Sequence, residues 1–422
     1  MRVPPTVDTA VVGAGQAGLS VSWYLGRAGR EHVVLDARRT LGGGWQDRWD
    51  EFCLVTPNWS ASLPGFPYDG PDPDGFMPRH EIAARVARYA EVIGAPVRLD
   101  SRVLRLSARP DGGFHLETSG GPLDAARVVV AAGSFHRPKV PPISAEMPKR
   151  LAQVHSHDYR RATDLPPGAV LVVGSGQSGA QLAEELFEAG RRVYLSVGSA
   201  GRMSRRYRGR DSFWWIAELA QNGDRFGVAL PTVDMLPSPQ AKFAGNPSWS
   251  GHGGGHDTNL REFAARGITL LGRIERVEGE RIGLAPDLPA NLCRADAFFD
   301  ERFRSLFDRY IEAAGIDAPP DDRVAVDFEP AVLEGLDLAR SGITSVLWTT
   351  GYRLDYSWID LPIFDEFGYP RQRRGVTDVP GLYFAGLLWQ HNQVSATLSG
   401  ASAETRHVAE QMGLSLDPDV PG

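Results

Sequence analysis

Cysteine is nearly absent from this chain: Cys53 and Cys293 are its only two copies in 422 residues. They stand too far apart in sequence for a CxxC redox pair or a thiolate metal set, so both read as small buried residues. Long apolar runs are missing too, and no stretch approaches the ~18–20 residues of a membrane span. A net charge of -7 leaves no basic surplus for a nucleic-acid face. No Ser/His/Asp set and no paired carboxylates stand out, so the side chains alone announce no nucleophilic or acid–base chemistry. The start, Met1-Arg-Val-Pro-Pro-Thr, runs straight into an apolar strand whose glycines belong to a motif, which argues against a cleaved secretory signal. The expected location is cytoplasmic.

Glycine, by contrast, is plentiful, and two groups of it are spaced alike. Gly13-Ala-Gly15-Gln-Ala-Gly18 and Gly174-Ser-Gly176-Gln-Ser-Gly179 each follow a short β-branched apolar run. In such a motif the first glycine permits a tight turn after a strand. The second lets backbone approach a pyrophosphate, and the third lets the next helix pack on the strand. The phosphates then meet the unpaired N–H groups and positive dipole end of a helix. Around the first copy we read strand 9–12, helix 17–29 and strand 32–35. That last strand ends in Asp36, close to the ~20-residue distance of an acid that binds a ribose hydroxyl. Around the second copy we read strand 169–173, helix 178–188 and strand 192–195, followed by Ser196 where the first copy has its acid. An acid there repels a 2′-phosphate, whereas a hydroxyl backed by Arg202, Arg205, Arg206, Arg208 and Arg210 accommodates one. The second copy therefore reads as a site for NADPH in preference to NADH.

The remaining pattern supplies an amphipathic helix over 80–93 and strands at 102–106, 114–118 and 127–131. The Gly/Trp/Pro-rich run from Leu41 to Pro67 suits backbone wrapped around a planar group. Residues 211–322 are the least regular and include Gly251-His-Gly-Gly-Gly-His-Asp257. Three glycines keep the two imidazoles off a common helix face, so no metal is expected there. Asp257 is instead expected to cap a helix over 258–265. A long helix over 295–314 should bury Phe298, Phe299, Phe303, Leu306, Phe307 and Tyr310. Further strands are read at 345–348 and 382–385, and a helix at 400–412.

On these residues the chain resembles the class B flavoprotein monooxygenases: flavin-containing monooxygenases, Baeyer–Villiger enzymes and YUCCA-type enzymes. The resemblance rests on both fingerprints, Asp36, Gly43-Gly-Trp45, Leu54-Val-Thr56-Pro57, Leu63-Pro64-Gly65 and Thr350-Gly-Tyr352. In the linker only His155-Ser-His157-Asp-Tyr159-Arg160 follows the family pattern, after Lys149-Arg-Leu151, which argues against a strict Baeyer–Villiger assignment. The resemblance implies an α/β fold of two Rossmann-like domains, the NADPH domain (166–350) inserted into a discontinuous FAD domain (1–165 plus 351–422), with a substrate-shaping insertion at about 211–322. It implies FAD and NADPH as cofactors, O2 and a small organic molecule as partners, and leaves a homodimer open. NADPH would reduce FAD, and a flavin hydroperoxide would oxygenate a heteroatom or carbonyl centre. A flavin reductase passing electrons to a quinone or protein acceptor is the alternative. The expected cofactor contacts are Gly13, Gly15, Gln16, Ala17, Gly18, Asp36, Ala37, Arg38, Gly44, Trp45, Thr56, Pro57, Val103, Ala132 and Gly133. Gly174, Ser175, Gly176, Gln177, Ser178, Gly179, Arg202, Arg205 and Arg206 follow on the NADPH side, with Thr350, Gly351, Gly386, Gln393 and Ser395 near the C-terminus. Asn58, Thr56 and Trp59 are the expected catalytic positions, with Asn58 as hydrogen-bond partner of the oxygenated flavin or NADP⁺.

Overall fold

A computed structural model describes residues 4–416. Its framework is two sheets, one mixed with a parallel centre and one all parallel, each built around one glycine motif. In the first unit β1 (Thr6–Val12) leads into α1 (Gln16–Arg27) and then β2 (His32–Leu35), which pairs parallel to β1. Apolar residues on both faces of β1, with Ala10 and Val11 fully buried, explain its central place: helices cover a parallel sheet on both sides. The nine-stranded sheet also takes Leu123–Val130 beside β1, and Leu382–Phe384 pairs parallel to that strand. Both ends of the chain therefore build one sheet.

The second unit repeats the plan with β3 (Ala169–Val173), α2 (Gln177–Glu188) and β4 (Val193–Ser196). Its five strands, all parallel, run in the order Thr269–Leu271, β4, β3, Ile343–Trp348 and Ala152–His155. The last strand lies before residue 165, so the second sheet begins earlier in the chain than the expected division of the two units. Strands 269–271, 274–278 and 281–284 also lie inside the stretch read as irregular.

Two further expectations are corrected. The helix over 295–314 is broken into Leu288–Phe299 and Ser305–Ala314 by a π-helical turn at Asp300–Arg304. Its apolar side still packs: Phe299, Phe303, Leu306, Phe307 and Tyr310 are buried with Tyr207, Trp215 and Trp249 in a core of their own. The helix after the His/Gly loop is Leu260–Arg266, and its cap is Asn259, whose side chain accepts from Arg261 N. Asp257 instead accepts from Arg205 N at 2.5 Å and from the Arg202 guanidinium at 3.3 Å. A larger core runs from α1 through Trp49, Phe52 and Tyr159 to α2, so the two units share one hydrophobic interior.

Candidate functional site

A cleft of about 450 Å³ opens over the C-terminal ends of β1 and β2, the edge at which parallel α/β sheets bind ligands. The glycines that shape it divide by role. Gly13 has φ +111°, and a Cβ there would lie 2.4 Å from Ala131 O. A Cβ on Gly18 would lie 1.9 Å from Gly13 O, so α1 docks on the turn only because that position is bare. A Cβ on Gly15 would meet nothing within 4 Å. Protein packing gives no reason for that glycine, whereas a phosphate seated against the first N–H groups of α1 does. Asp36, at the end of β2, accepts from Ala14 N at 2.7 Å through one carboxylate oxygen and from Arg38 N at 2.8 Å through the other. The carboxylate is thus pinned at the cleft wall, with acceptor capacity left for ribose hydroxyls.

Gly13, Gly15, Gln16, Ala17, Asp36, Ala37, Arg38, Gly44, Trp45, Val103, Ala132, Gly133 and Gly386 all line this one cleft. Trp45 Nε1 donates to Gln16 Oε1 at 3.2 Å, which sets the indole beside the helix start. Arg38 is occupied: its Nε donates to Gly43 O at 3.1 Å and its Nη2 pairs with Asp47, so it shapes the Gly43–Asp47 turn. Thr56, Pro57, Thr350, Gly351, Gln393 and Ser395 do not line the cleft. Ser395 is buried and accepts from His391 N and Asn392 N at 3.1 Å, so it organises the loop that carries the lining residue Ala396.

The structure adds residues that sequence reading missed. Arg48 lines the cleft between the rings of Phe52 and Phe135, 5.6 and 5.0 Å from their centroids. Burial pushes its guanidinium pKa down, and its Nε has no partner among the described residues. Tyr352 and His157 stand nearby, their rings 6.0 Å apart, and burial raises the tyrosine pKa. The runs containing His157 and Tyr352 were legible; Arg48 and Phe135 carried no signal of their own.

The second motif reproduces the backbone of the first. Gly174 has φ +107°, and a Cβ on Gly179 would lie 1.9 Å from Gly174 O. At Gly176 a Cβ would meet only Ala200 Cβ, at 3.8 Å. Ser175 Oγ accepts from Gly198 N at 3.0 Å, tying the turn to the loop beyond β4, and Gln177 donates to Trp249 O at 2.5 Å. Ser178 lies in the first turn of α2. The side chains expected to clamp a 2′-phosphate are largely committed elsewhere. Ser196 is buried, its hydroxyl donating to Gly272 O at 3.0 Å. Arg202 is paired with Asp257 at 3.3 Å and Asp296 at 3.1 Å. Arg205 is only 3% exposed. It donates to Val55 O at 2.8 and 3.0 Å and to Asp211 at 3.1 Å, between the rings of Trp249 and Phe76. Arg205 is therefore corrected to a staple between the two units. Arg206 alone of the three is exposed.

The expected catalytic residues fold into the loop that this staple holds. Asn58 is buried; its Nδ2 donates to Asp72 O at 2.8 Å and its Oδ1 accepts from Met77 N at 2.6 Å. That amide closes the loop from both ends, which corrects its assignment as a partner for the oxygenated flavin. Thr56 accepts from Ser60 Oγ at 2.8 Å, and Trp59 packs on Phe213 with centroids 5.8 Å apart.

No helix among the described residues is long and apolar enough to cross a membrane. Comparison with known proteins gives a consistent picture. The chain matches the pyridine nucleotide-disulphide oxidoreductase family over residues 10–217. It is 31% identical to an uncharacterized CzcO-like oxidoreductase of Geobacillus kaustophilus, over 95% of this chain and 97% of that one. It is 29% identical to the indole-3-pyruvate monooxygenase YUCCA1 of Oryza sativa, over 54% of this chain and 53% of that one. Its fold matches a flavin-containing monooxygenase from Stenotrophomonas maltophilia with TM-score 0.65 and 21% identity, over 97% and 98% of the two chains.

Proposed function

We propose that the chain, which belongs with the CzcO-like oxidoreductases, is a class B flavoprotein monooxygenase: a single-component, NADPH- and O2-dependent enzyme that oxygenates a small organic molecule at a heteroatom or carbonyl centre. The observation that supports this most is the pair of matching turns, each with a middle glycine beside open space at a helix N-terminus. Two dinucleotides, FAD and NADPH, fit two such turns. FAD, when bound, supplies hydride acceptance from the nicotinamide and activation of dioxygen.

The chain's own residues would bind, orient and keep dry. The N–H groups at the start of α1 would hold the FAD pyrophosphate and Asp36 its ribose, while Trp45, Arg48 and Tyr352 wall the cleft. The start of α2 offers the same seat to NADPH. An acid is absent at Ser196, and the exposed Arg206 remains to meet the 2′-phosphate. The loop closed by Asn58 and held by Arg205 shields the space between the two turns from water.

The test is direct. Purified protein should carry FAD, oxidise NADPH faster than NADH at equal concentration, and place an atom of isotopically labelled dioxygen in an added amine, sulfide or ketone. Electron transfer to a quinone with no label incorporated would favour the reductase reading, and a flavin-free protein would reject both.

A further inference from the structure

A second cleft, of about 360 Å³, is lined by Phe52 and shares no lining residue with the flavin cleft. It is formed where the segment Trp49–Cys53 meets the outward face of α2. Trp49 and Phe52, edge to face at 5.0 Å, form its apolar floor. Gln181, Glu184, Glu185 and Glu188 supply its wall at helical spacing.

The cations near this wall are already engaged. Glu184 pairs with His256 at 2.8 Å and with Arg266 at 3.3 Å. Glu188 pairs with His252 at 3.5 Å and with Arg266 at 3.5 Å. Arg161 leans to Asp50 at 3.1 Å and Asp164 at 3.7 Å. Two acceptors are left over. Gln181 is only 9% exposed, lines the cleft, and its Oε1 has no hydrogen-bond partner among the described residues. Glu185 accepts the Tyr159 hydroxyl on Oε1 at 2.8 Å, while its buried Oε2, beside the Trp49 indole, has no hydrogen bond of good geometry among the described residues. Buried acceptors without partners cost about 1–3 kcal/mol each, so their retention at the wall of an open cleft points to a donor that arrives from outside. An aromatic floor under carboxylates is the chemistry that receives an organic cation.

We propose that this cleft is a ligand site separate from the flavin cleft, taking a primary amine or guanidine that carries an apolar body. The N–H donors satisfy Gln181 Oε1 and Glu185 Oε2, the charge lies against the Glu185 carboxyl group, and the apolar body lies on Trp49 and Phe52. A quaternary ammonium has charge but no donor and leaves both acceptors unmet. The His/Gly loop closes one side: Gly253, Gly254 and Gly255 all have positive φ, which lets His252 and His256 return to the same helix face.

The experiment is calorimetric titration of the flavin-loaded protein, with NADP⁺ present, using benzylamine, benzyl alcohol and benzyltrimethylammonium. Benzylamine should bind at one site, and the other two at least about tenfold more weakly. Glu185→Gln and Gln181→Met should each weaken benzylamine by at least about tenfold, with flavin content and the KM for NADPH unchanged. Equal binding of the three probes, no heat from benzylamine up to about 10 mM, competition with NADP⁺, or unaltered binding by both variants would overturn the proposal. Should either variant lose its flavin, the three-probe comparison on the unmodified protein decides alone.

Discussion

The two glycine turns superpose in plan and part in surroundings. Gly13 and Gly174 take the same positive φ, and Gly18 and Gly179 admit their helices at the same 1.9 Å limit. Past the turn the likeness ends. Asp36 presents its carboxylate to a deep cleft shared by both ends of the chain, whereas Ser196 turns its hydroxyl inward to Gly272 O. Around the first turn the polar groups line an open cleft, and around the second most of them face protein. A repeated backbone motif thus sets the shape of the turn, while the residues one strand further on set what surrounds it.

The largest expected effect separates structure from recognition behind the second turn. Arg205→Ala leaves Asp211 and Val55 O without their buried partner and should cost about 3–5 kcal/mol in urea unfolding. KM for NADPH and NADH should then rise together in whatever protein remains folded; a selective loss of NADPH would return Arg205 to the phosphate. Next, Gly15→Val and Gly176→Val fill the two open seats. The first should weaken FAD about 100-fold and the second the nicotinamide nucleotide by a similar factor, each sparing the other as read by absorbance and KM. If either variant lost both ligands, the two turns would not be independent. Smaller again, Arg206→Ala should raise KM for NADPH about fivefold relative to NADH.

The smallest effect is a pH dependence in the loop beside the second turn. Glu184, through its hydrogen bond and charge, raises the pKa of His256. A raised folded value stabilises fully below the unfolded value of about 6.5 and fades as pH climbs through the folded one. The difference in Tm between the protein and His256→Gln should therefore be greatest below about pH 6.5. With the imidazole 37% exposed, the stability difference behind it should stay under about 1 kcal/mol.

The framework was legible because glycine spacing and apolar runs report backbone constraints directly. Strands β1, β2, β3 and β4, both motif helices and the Asp36 wall all follow from short-range pattern. What escaped depends on direction. Nothing local tells whether Asn58 faces a ligand or bridges Asp72 and Met77, nor that Arg205 would be drawn from a basic run to a carbonyl 150 residues earlier. The break at Asp300–Arg304 hides in a segment with unbroken helical periodicity, because a π turn keeps the same residue types. Arg48 lies at the cleft between the rings of Phe52 and Phe135, and its pairing with Phe135 is set by the tertiary fold.

The route of the chain through the two sheets also sets an order of assembly. All strands of the second sheet lie between residues 152 and 348, whereas the first sheet still lacks Leu382–Phe384 when they are complete. A chain emerging from the ribosome can therefore close its inserted unit early, since domains tend to fold as units in the order of synthesis. The cleft proposed to seat the flavin, whose wall includes Tyr352, Ala385 and Gly386, must wait for the last part of the chain. A polypeptide truncated after Trp348 would carry all five strands of the second sheet beside a first sheet with one raw edge, the kind of exposed backbone that pairs with other chains.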